Sequence, residues 1–346
     1  MGLMDAVSGV LDWRLLVKLT VDGIDVTSRF APMLSEVALT DEVGADADEL
    51  QIRLTPGNIL SRLPFPRSGA EIRLHLGRGL AAADMGLFIA DEFEFRTPPS
   101  ELSIRARAAM FDGGQGGREA MQSAKNRSWP KGTTIGDMVS KIAGEHGLRG
   151  ITGQSVAGIA LDHINQIAES DLNLLLRVAR DHDAFVKPAN GAIIVARKGE
   201  SVTASGQALP VVSLSPGEIS SCSLRRSTRD APQSCIALWR DVAASVTKEE
   251  KAGLGSPELR LRQQFGSAEA ALKAAQAALS RARRGQKALS LTLPGRTDIM
   301  AESRLIMPPI QPDVAGEWLV TRVSHSVSAA GWSMLVEAEA PDAETA

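Results

Sequence analysis

Tyrosine is absent from this 346-residue chain, and aromatic residues make up only 4% of it. Recognition that stacks bases or sugars on rings therefore has little to work with. Cysteine is scarce as well. Cys222 and Cys235, thirteen residues apart, suit neither a zinc ribbon nor a disulfide framework. They read as two reduced thiols, in a core or at an edge, of a protein made in a cytosol. Neither sign of charge is in large excess. The formal net charge is −3, so no overall basic field exists to hold nucleic acid. No run approaches the ~18–20 apolar residues of a membrane-spanning helix. The opening MGLMDAVSGV lacks the basic and apolar stretches of a signal peptide. What is there is globular: 44% hydrophobic residues exclude general disorder, and the length predicts two or three domains.

Residues 1–110 alternate with period two, which buries one face of a strand and wets the other. Trp13, Leu15, Val17, Leu19 and Val21 are followed by Asp22-Gly23 and then Ile24 and Val26, a hairpin signal because both turn positions favour positive φ. Leu50/Ile52/Leu54, Ile72/Leu74/Leu76, Phe93/Phe95 and Leu102/Ile104/Ala106/Ala108 repeat the pattern without helices between. Such a run predicts an antiparallel sandwich or barrel.

Residues 111–200 read as a small α+β unit. Phe111–Arg127 is Gly-rich and polar and reads as a linker or long loop. Thr134, with Asp137 as capping partner, starts a helix with Ile135, Met138, Val139, Ile142 and Ala143 on one face; Gly147 can stop it. A second helix over Ser170–Arg180 is predicted to bury Leu172, Leu175, Leu176 and Ala179. A short hairpin follows, Ala184–Val186 and Ile193–Ala196, turning at Asn190-Gly191.

Strands return over 201–346, at Cys235–Leu238, Leu289–Leu293, Trp318–Ser324 and Trp332–Ala338, the last two a hairpin. Ser245–Pro257 reads as a solvated loop. A helix over 267–284 carries eight alanines, with Ala268, Ala271, Leu272, Ala275, Leu279 and Ala282 as its apolar stripe and Arg281, Arg283 and Arg284 in its last turn. The expected class is mainly β with an α+β insert: two similar antiparallel β-barrels, 1–110 and 201–346, flanking a mixed unit at 111–200. The first carries a net −5 and the other two segments +1 each.

Chemistry is hard to find. The histidines, His75, His146, His163, His182 and His325, form no HExxH and no ligand pair on one helix. Asp181-His182-Asp183 could make a metal or acid–base cluster, but it sits where a helix exit is expected. His325 lies on a predicted strand with no partner Cys and no GxSxG elbow. Asp112–Gly117 resembles a phosphate-cradling loop but lacks a following GK[ST], so it reads as a flexible loop. Asp91, Glu92 and Glu94 alternate with Phe93 and Phe95 as the wet face of a strand. Lys131–Ala143 is similar to the opening of a LysM glycan-binding motif and reads equally as a capped amphipathic helix. No catalytic, cofactor-binding or metal-binding residue is expected.

The order of segments is more telling. Trp129-Pro130-Lys131-Gly132-Thr133-Thr134-Ile135 opens the middle unit. Glu169-Ser170-Asp171-Leu172 with Leu175-Leu176-Arg177 and Ala179 forms a helix signature. The Ala-rich helix leads into Leu289-Ser290-Leu291 and Pro294-Gly295. The ending runs Gly316-Glu317-Trp318-Leu319-Val320-Thr321-Arg322-Val323-Ser324-His325, then Gly331-Trp332. In this order they resemble the phage late control protein D family, hubs of contractile tails similar to the N-terminal part of VgrG. Asp183 departs from the pattern, standing where Gly is expected. The resemblance implies a homotrimer in which two barrels per chain give six similar positions. Such a ring would adapt a sixfold tail tube to a threefold spike. It implies tail tube protein, a trimeric spike protein and other baseplate proteins as partners, with DNA or tape-measure protein passing only transiently. The net −5 of the first segment is compatible with an acidic channel that repels phosphate. The chain ends at Ala346, so the spike is expected to be a separate protein. Two rival readings remain at this point: a tail-tip peptidoglycan hydrolase using Glu145 or Asp181/Asp183, and a glycan-binding module using the 131–147 helix.

Overall fold

The computed structural model describes residues 15–44, 48–56, 66–79, 81–108, 121–189, 191–200, 209, 211–227 and 231–341. Trp13, the Gly-rich loop 112–117 and Asn190 lie outside them. Seven strands build the first part: β1 (Leu15–Val21), β2 (Ile24–Asp25), β3 (Leu34–Glu42), β4 (Glu49–Leu54), β5 (Glu71–Arg78), β6 (Ala81–Arg96) and β7 (Glu101–Ala108), with one helical turn, α1 (Thr27–Phe30), after β2. Asp22 (φ 50°) and Gly23 (φ 78°) turn β1 into β2. The alternating residues of β4, β5 and β7 face one core with Val37 and Phe88. Phe95 departs from the pattern. A register shift between Ala90 and Glu92 re-phases the strand and brings Phe93 against the core, while Phe95, at the end of the strand, is 47% exposed.

The middle part holds β8 (Ala124–Trp129), α2 (Ile135–Glu145), β9 (Arg149–Thr152), α3 (Gln154–Ala157), β10 (Ile164–Ser170), α4 (Asp171–Asp181), β11 (Ala184–Ala189) and β12 (Ala192–Arg197). Thr134 caps α2 as predicted: its Oγ1 accepts from the Asp137 N–H at 3.1 Å and donates to the Asp137 carboxylate at 2.7 Å. The five predicted apolar positions of α2 are all buried. Two expectations fail here. The linker reading of Phe111–Arg127 misses that β8 begins at Ala124 and pairs antiparallel with β10. Its side chains are polar because their partners are charges. The stripe of α4 is also rotated: Leu174, Leu175, Val178 and Ala179 are buried, with Asp171, while Leu172 and Leu176 are only partly covered.

The last part holds β13 (Val211–Ser213), β14 (Ser221–Arg226), β15 (Ser234–Asp241), β16 (Val246–Gly253), β17 (Glu258–Phe265), α5 (Ala268–Arg284), β18 (Lys287–Pro294), β19 (Arg304–Met307), β20 (Gly316–Ser328) and β21 (Gly331–Glu339). Ser245–Pro257 is not a loop. It contains β16, which pairs with β15 in a three-stranded sheet, order β16-β15-β17, packed on α5. The helix buries a face shifted from its predicted stripe: Ala271, Ala275 and Leu279 are buried as expected, together with Ala274, Ala277, Ala278 and Arg284, while Ala268, Leu272 and Ala282 are only partly covered.

The mainly β class with a mixed middle holds. The first and last parts, however, share one sheet. Residues 322–328 of β20 pair antiparallel with residues 42–36 of β3. The result is a 13-stranded sheet, β14-β18-β21-β20-β3-β4-β7-β6-β5-β1-β2, with β19 beside β20 and β13 beside β19. It carries two apolar cores, one per part, and among the described residues its pairing closes no barrel.

Candidate functional site

Asp171 opens α4, directly after the N-cap Ser170, where an anion suits the helix dipole. Its side chain is fully buried. One carboxylate oxygen accepts from Arg127 and from Gln166 Nε2 (2.9 Å); the other accepts from Lys125 Nζ (2.6 Å) and lies 2.8 Å from His146 Nε2. Lys125 and Arg127 sit two residues apart on β8, so both side chains leave the strand on the same face. The same two cations hold Glu145 at the end of α2, at 3.2 Å and 2.7 Å. Arg127 also lies 4.5 Å above the Trp129 ring. Burial would raise the Asp171 carboxyl, but hydrogen bonds from Gln166, Lys125 and His146 outweigh it and hold the group below the usual range. Glu145 behaves alike: burial opposes, and Arg127 and Lys125 prevail. A general acid in glycoside hydrolysis needs the opposite shift. Chemically, this cluster locks β8, α2, β10 and α4 together.

A second set of charges lies where the three parts meet. Lys187 of β11 reaches Asp41 of β3, and Asp48 at 3.2 Å. Asp41 also accepts from the Ala301 N–H at 2.7 Å, so one carboxylate touches all three parts. Burial and the neighbouring Asp41 push Asp48 up to about 7, against the pull of Lys187. Glu302, buried, accepts from the Gly199 N–H at 2.9 Å, and burial pushes it up to about 7. Arg304 donates to the Gly199 carbonyl at 2.6 Å and to Glu317 at 2.8 Å. Asp183, at φ 53°, supplies the left-handed helix exit for which Gly was expected, a conformation Asp tolerates. Its carboxylate grips the buried Arg284 of α5 through two bonds of 2.8 and 2.6 Å.

The other expected residues fall apart in space. Asp181 is raised by burial and accepts from Gln263 at 3.3 Å, while Asp183 faces Arg284, so the two form no acid–base pair. Asp91, Glu92 and Glu94 are exposed and face Arg107 (3.5 Å), Arg105 (3.1 Å) and Arg96 (2.8 Å). His163 meets Ser128 at 2.7 Å. His325 is buried and receives the Trp332 indole N–H at 3.3 Å; burial lowers it to about 4. Nδ1 of His75 is buried without a hydrogen-bond partner. Cys222 is exposed on the edge strand β14 and Cys235 is buried on β15; both are free thiols. Among the described residues no three metal-ligating side chains cluster, and no helix is long and apolar enough to cross a membrane. The apolar face of the 131–147 helix is turned into the middle core. The Asp171 cluster and the junction charges were missed in the sequence. The one signal was Lys125 and Arg127 in strand phase within an apparent loop.

Known proteins resemble this chain in sequence and in fold. A family model described as "Phage tail baseplate hub (GPD)" matches residues 101–331. Probable baseplate hub proteins of Escherichia phages 186 and P2 are 29% and 27% identical, each match covering 93% of this chain and 92% of the relative. Among solved structures, the 43 kDa tail protein of prophage MuSo2 from Shewanella oneidensis superposes with a TM-score of 0.70 at 14% identity, covering 94% of this chain and 98% of that one. A tail protein from Neisseria meningitidis gives 0.69 at 14%, covering 95% and 97%. An Escherichia coli component of the type VI secretion system gives 0.59 at 12%, covering 94% and 77%.

Proposed function

The chain belongs to the phage tail baseplate hub (GPD) family, and from that premise we propose that it works as a homotrimer, adapting the sixfold tail tube to a threefold spike without catalysis of its own. Residues 1–110 and 201–346 then act as the two tube-like β units of each protomer, and 111–200 as the mixed unit between them. The tail tube protein docks on one side and a trimeric spike protein on the other, with other baseplate proteins around the ring. DNA or tape-measure protein passes only transiently. The protein is made in the bacterial cytoplasm and ends in the baseplate.

One observation carries this reading: among the described residues the 13-stranded sheet runs from β14 at one end to β1 with the two-residue β2 at the other, unlike edges, with β13 as a further edge strand beside β19. An edge strand offers unpaired N–H and C=O groups that soluble proteins normally shield. Two different edges on one protomer favour a head-to-tail contact, which generates a ring when the rotation closes. Closure at three presents six β units, the count a sixfold tube requires. The test is native mass spectrometry of the purified chain with and without tail tube protein. A trimer is expected, or a trimer that forms on the tube. A protein that stays monomeric under both conditions contradicts the reading. Turnover of purified peptidoglycan that is lost in Glu145→Gln would show an enzyme instead.

A further inference from the structure

A cavity of about 830 Å³ opens between the middle part, α5, β16 and the last part of the sheet. Its lining holds seven Lys and Arg side chains but only two carboxylates, Asp183 and Glu317. Both carboxylates are committed, Asp183 to Arg284 at 2.6 Å and Glu317 to Arg304 at 2.8 Å. Three of the remaining cations lean on acids outside the lining: Lys273 on Glu269 at 2.8 Å, Lys198 on Glu339 at 4.0 Å, and Lys251 on Glu258. Arg197, from the end of β12, and Arg283, from the last turn of α5, are exposed and have no carboxylate partner among the described residues. His182 shares the lining and is lowered to about 4 by burial, with Lys273 and Arg197 adding to the effect. Positive potential is thus concentrated here, although the chain as a whole is slightly acidic. Between the charges the wall is aliphatic, with Leu272, Leu279 and Leu319.

We propose that this cavity binds a short acidic segment of a partner polypeptide, its carboxylates on Arg197 and Arg283 and its aliphatic side chains on Leu272, Leu279 and Leu319. The planar guanidinium fork matches a carboxylate through two parallel bonds. The volume is that of a site for a small ligand or a few residues, too small for a duplex. A single nucleic acid strand is normally held by stacking on Phe, Tyr or Trp, and none of these lines this cavity. Mixed cationic and aliphatic walls fit a peptide that alternates glutamate with leucine. The proposal does not depend on trimer formation, because the site lies within one protomer.

The experiment measures fluorescence anisotropy of a labelled octapeptide of alternating glutamate and leucine against the full chain, with its glutamine–leucine counterpart and a labelled oligothymidine as further probes. The acidic peptide is expected to bind and to weaken as salt rises. The double variant Arg197→Glu/Arg283→Glu is expected to weaken it by about tenfold or more. Both side chains are exposed and have no carboxylate partner among the described residues, so its circular dichroism and melting midpoint should match the parent. Equal binding of the glutamine peptide, or a well-folded double variant that binds unchanged, overturns the proposal. Oligothymidine binding as tightly as the acidic peptide, and lost in the same variant, overturns it in favour of nucleic acid.

Discussion

Leu74 in the sheet and Asp171 in the middle part are both completely buried, and they hold the molecule together by different physics. Leu74 sits among Leu50, Leu54, Ile72 and Phe88, where burial is favourable in proportion to apolar area and asks little of geometry. Asp171 is tolerable only because Arg127, Lys125, His146 and Gln166 all reach it. Removing any one leaves a charge or donor without its match. The apolar packing around Leu74 is therefore indifferent to salt and pH, and the sheet it supports forms a long continuous surface. The middle part and its junctions are specific, fixed in angle and sensitive to protonation. In the hub role proposed above this division would be useful: the broad sheet would meet the neighbours, while ionic clamps set how the parts of one protomer sit on each other.

The sharpest break of that comparison puts a charge where none is matched. Leu175, 2% exposed on α4, lies close in sequence to Asp171 but has no cation arranged for it. Leu175→Asp is expected to cost on the order of several kcal/mol and to unfold the middle part, seen as loss of protection from limited proteolysis at 121–200. A variant that folds and resists protease like the parent would show that this helix face is not core.

Next in size is a matched pair. Leu74→Ala should cost about 2–5 kcal/mol, equally at pH 7 and pH 4. Asp171→Ala should cost roughly 2–3 kcal/mol at pH 7, less than a fully buried pair because Lys125 and Arg127 keep some contact with water. The folded Asp171 carboxyl is held below its usual range. Its contribution is therefore present above the unfolded value of about 3.9 and is lost as pH falls through the folded value. The penalty of Asp171→Ala should shrink towards zero in acid. Urea titrations at several pH values decide it: a pH-independent Asp171→Ala, or a pH-dependent Leu74→Ala, removes the distinction.

This difference also explains what the sequence could say. Alternation locates β4, β5 and β7 because apolar burial leaves a periodic trace. The cap and stop of α2 were legible for the same local reason: Thr134, Asp137 and Gly147 act within their own turn. By contrast, β8 looks like a loop because Lys125 and Arg127 are matched by residues about 20 to 46 positions away, and pairing at that distance leaves no local pattern. The cationic cavity was equally silent, since its Arg and Lys side chains come from separate segments. The β20–β3 pairing that fuses the two β units could not be read either, because each strand alone is compatible with a separate barrel.

Glu302 at the junction runs in the opposite sense to Asp171. Burial pushes Glu302 up to about 7, so the folded state prefers it protonated. Stability from this group is full below the unfolded value of about 4.3 and falls as pH rises towards 7. Glu302→Gln keeps an acceptor for the Gly199 N–H and removes the charge. It should stabilise by about 1–2 kcal/mol at pH 8 and change nothing near pH 4, measured by thermal melts. Stabilisation that is equal at both values would mean packing, not ionisation, is responsible.

The smallest effect on the protomer concerns the sheet edge. The Ser227 N–H donates to the Gln286 carbonyl at 2.8 Å, continuing the β14–β18 ladder. Antiparallel ladders alternate, so Ser221, Ser223 and Arg225 direct their N–H groups to β18, and Cys222, Leu224 and Arg226 direct theirs outward. Cys222→Pro removes one outward donor and should change protomer stability by less than ~1 kcal/mol. Ser223→Pro breaks a ladder bond and should cost clearly more. If β14 pairs with a neighbouring protomer, Cys222→Pro lowers the trimer fraction while leaving the melting point of the monomer in place. Two adjacent positions thus separate folding from assembly: one proline should be felt within the chain, the other only between chains. Trimer formation undisturbed by Cys222→Pro would move the contact to another surface and leave β14 an edge shielded by its own exposed polar side chains.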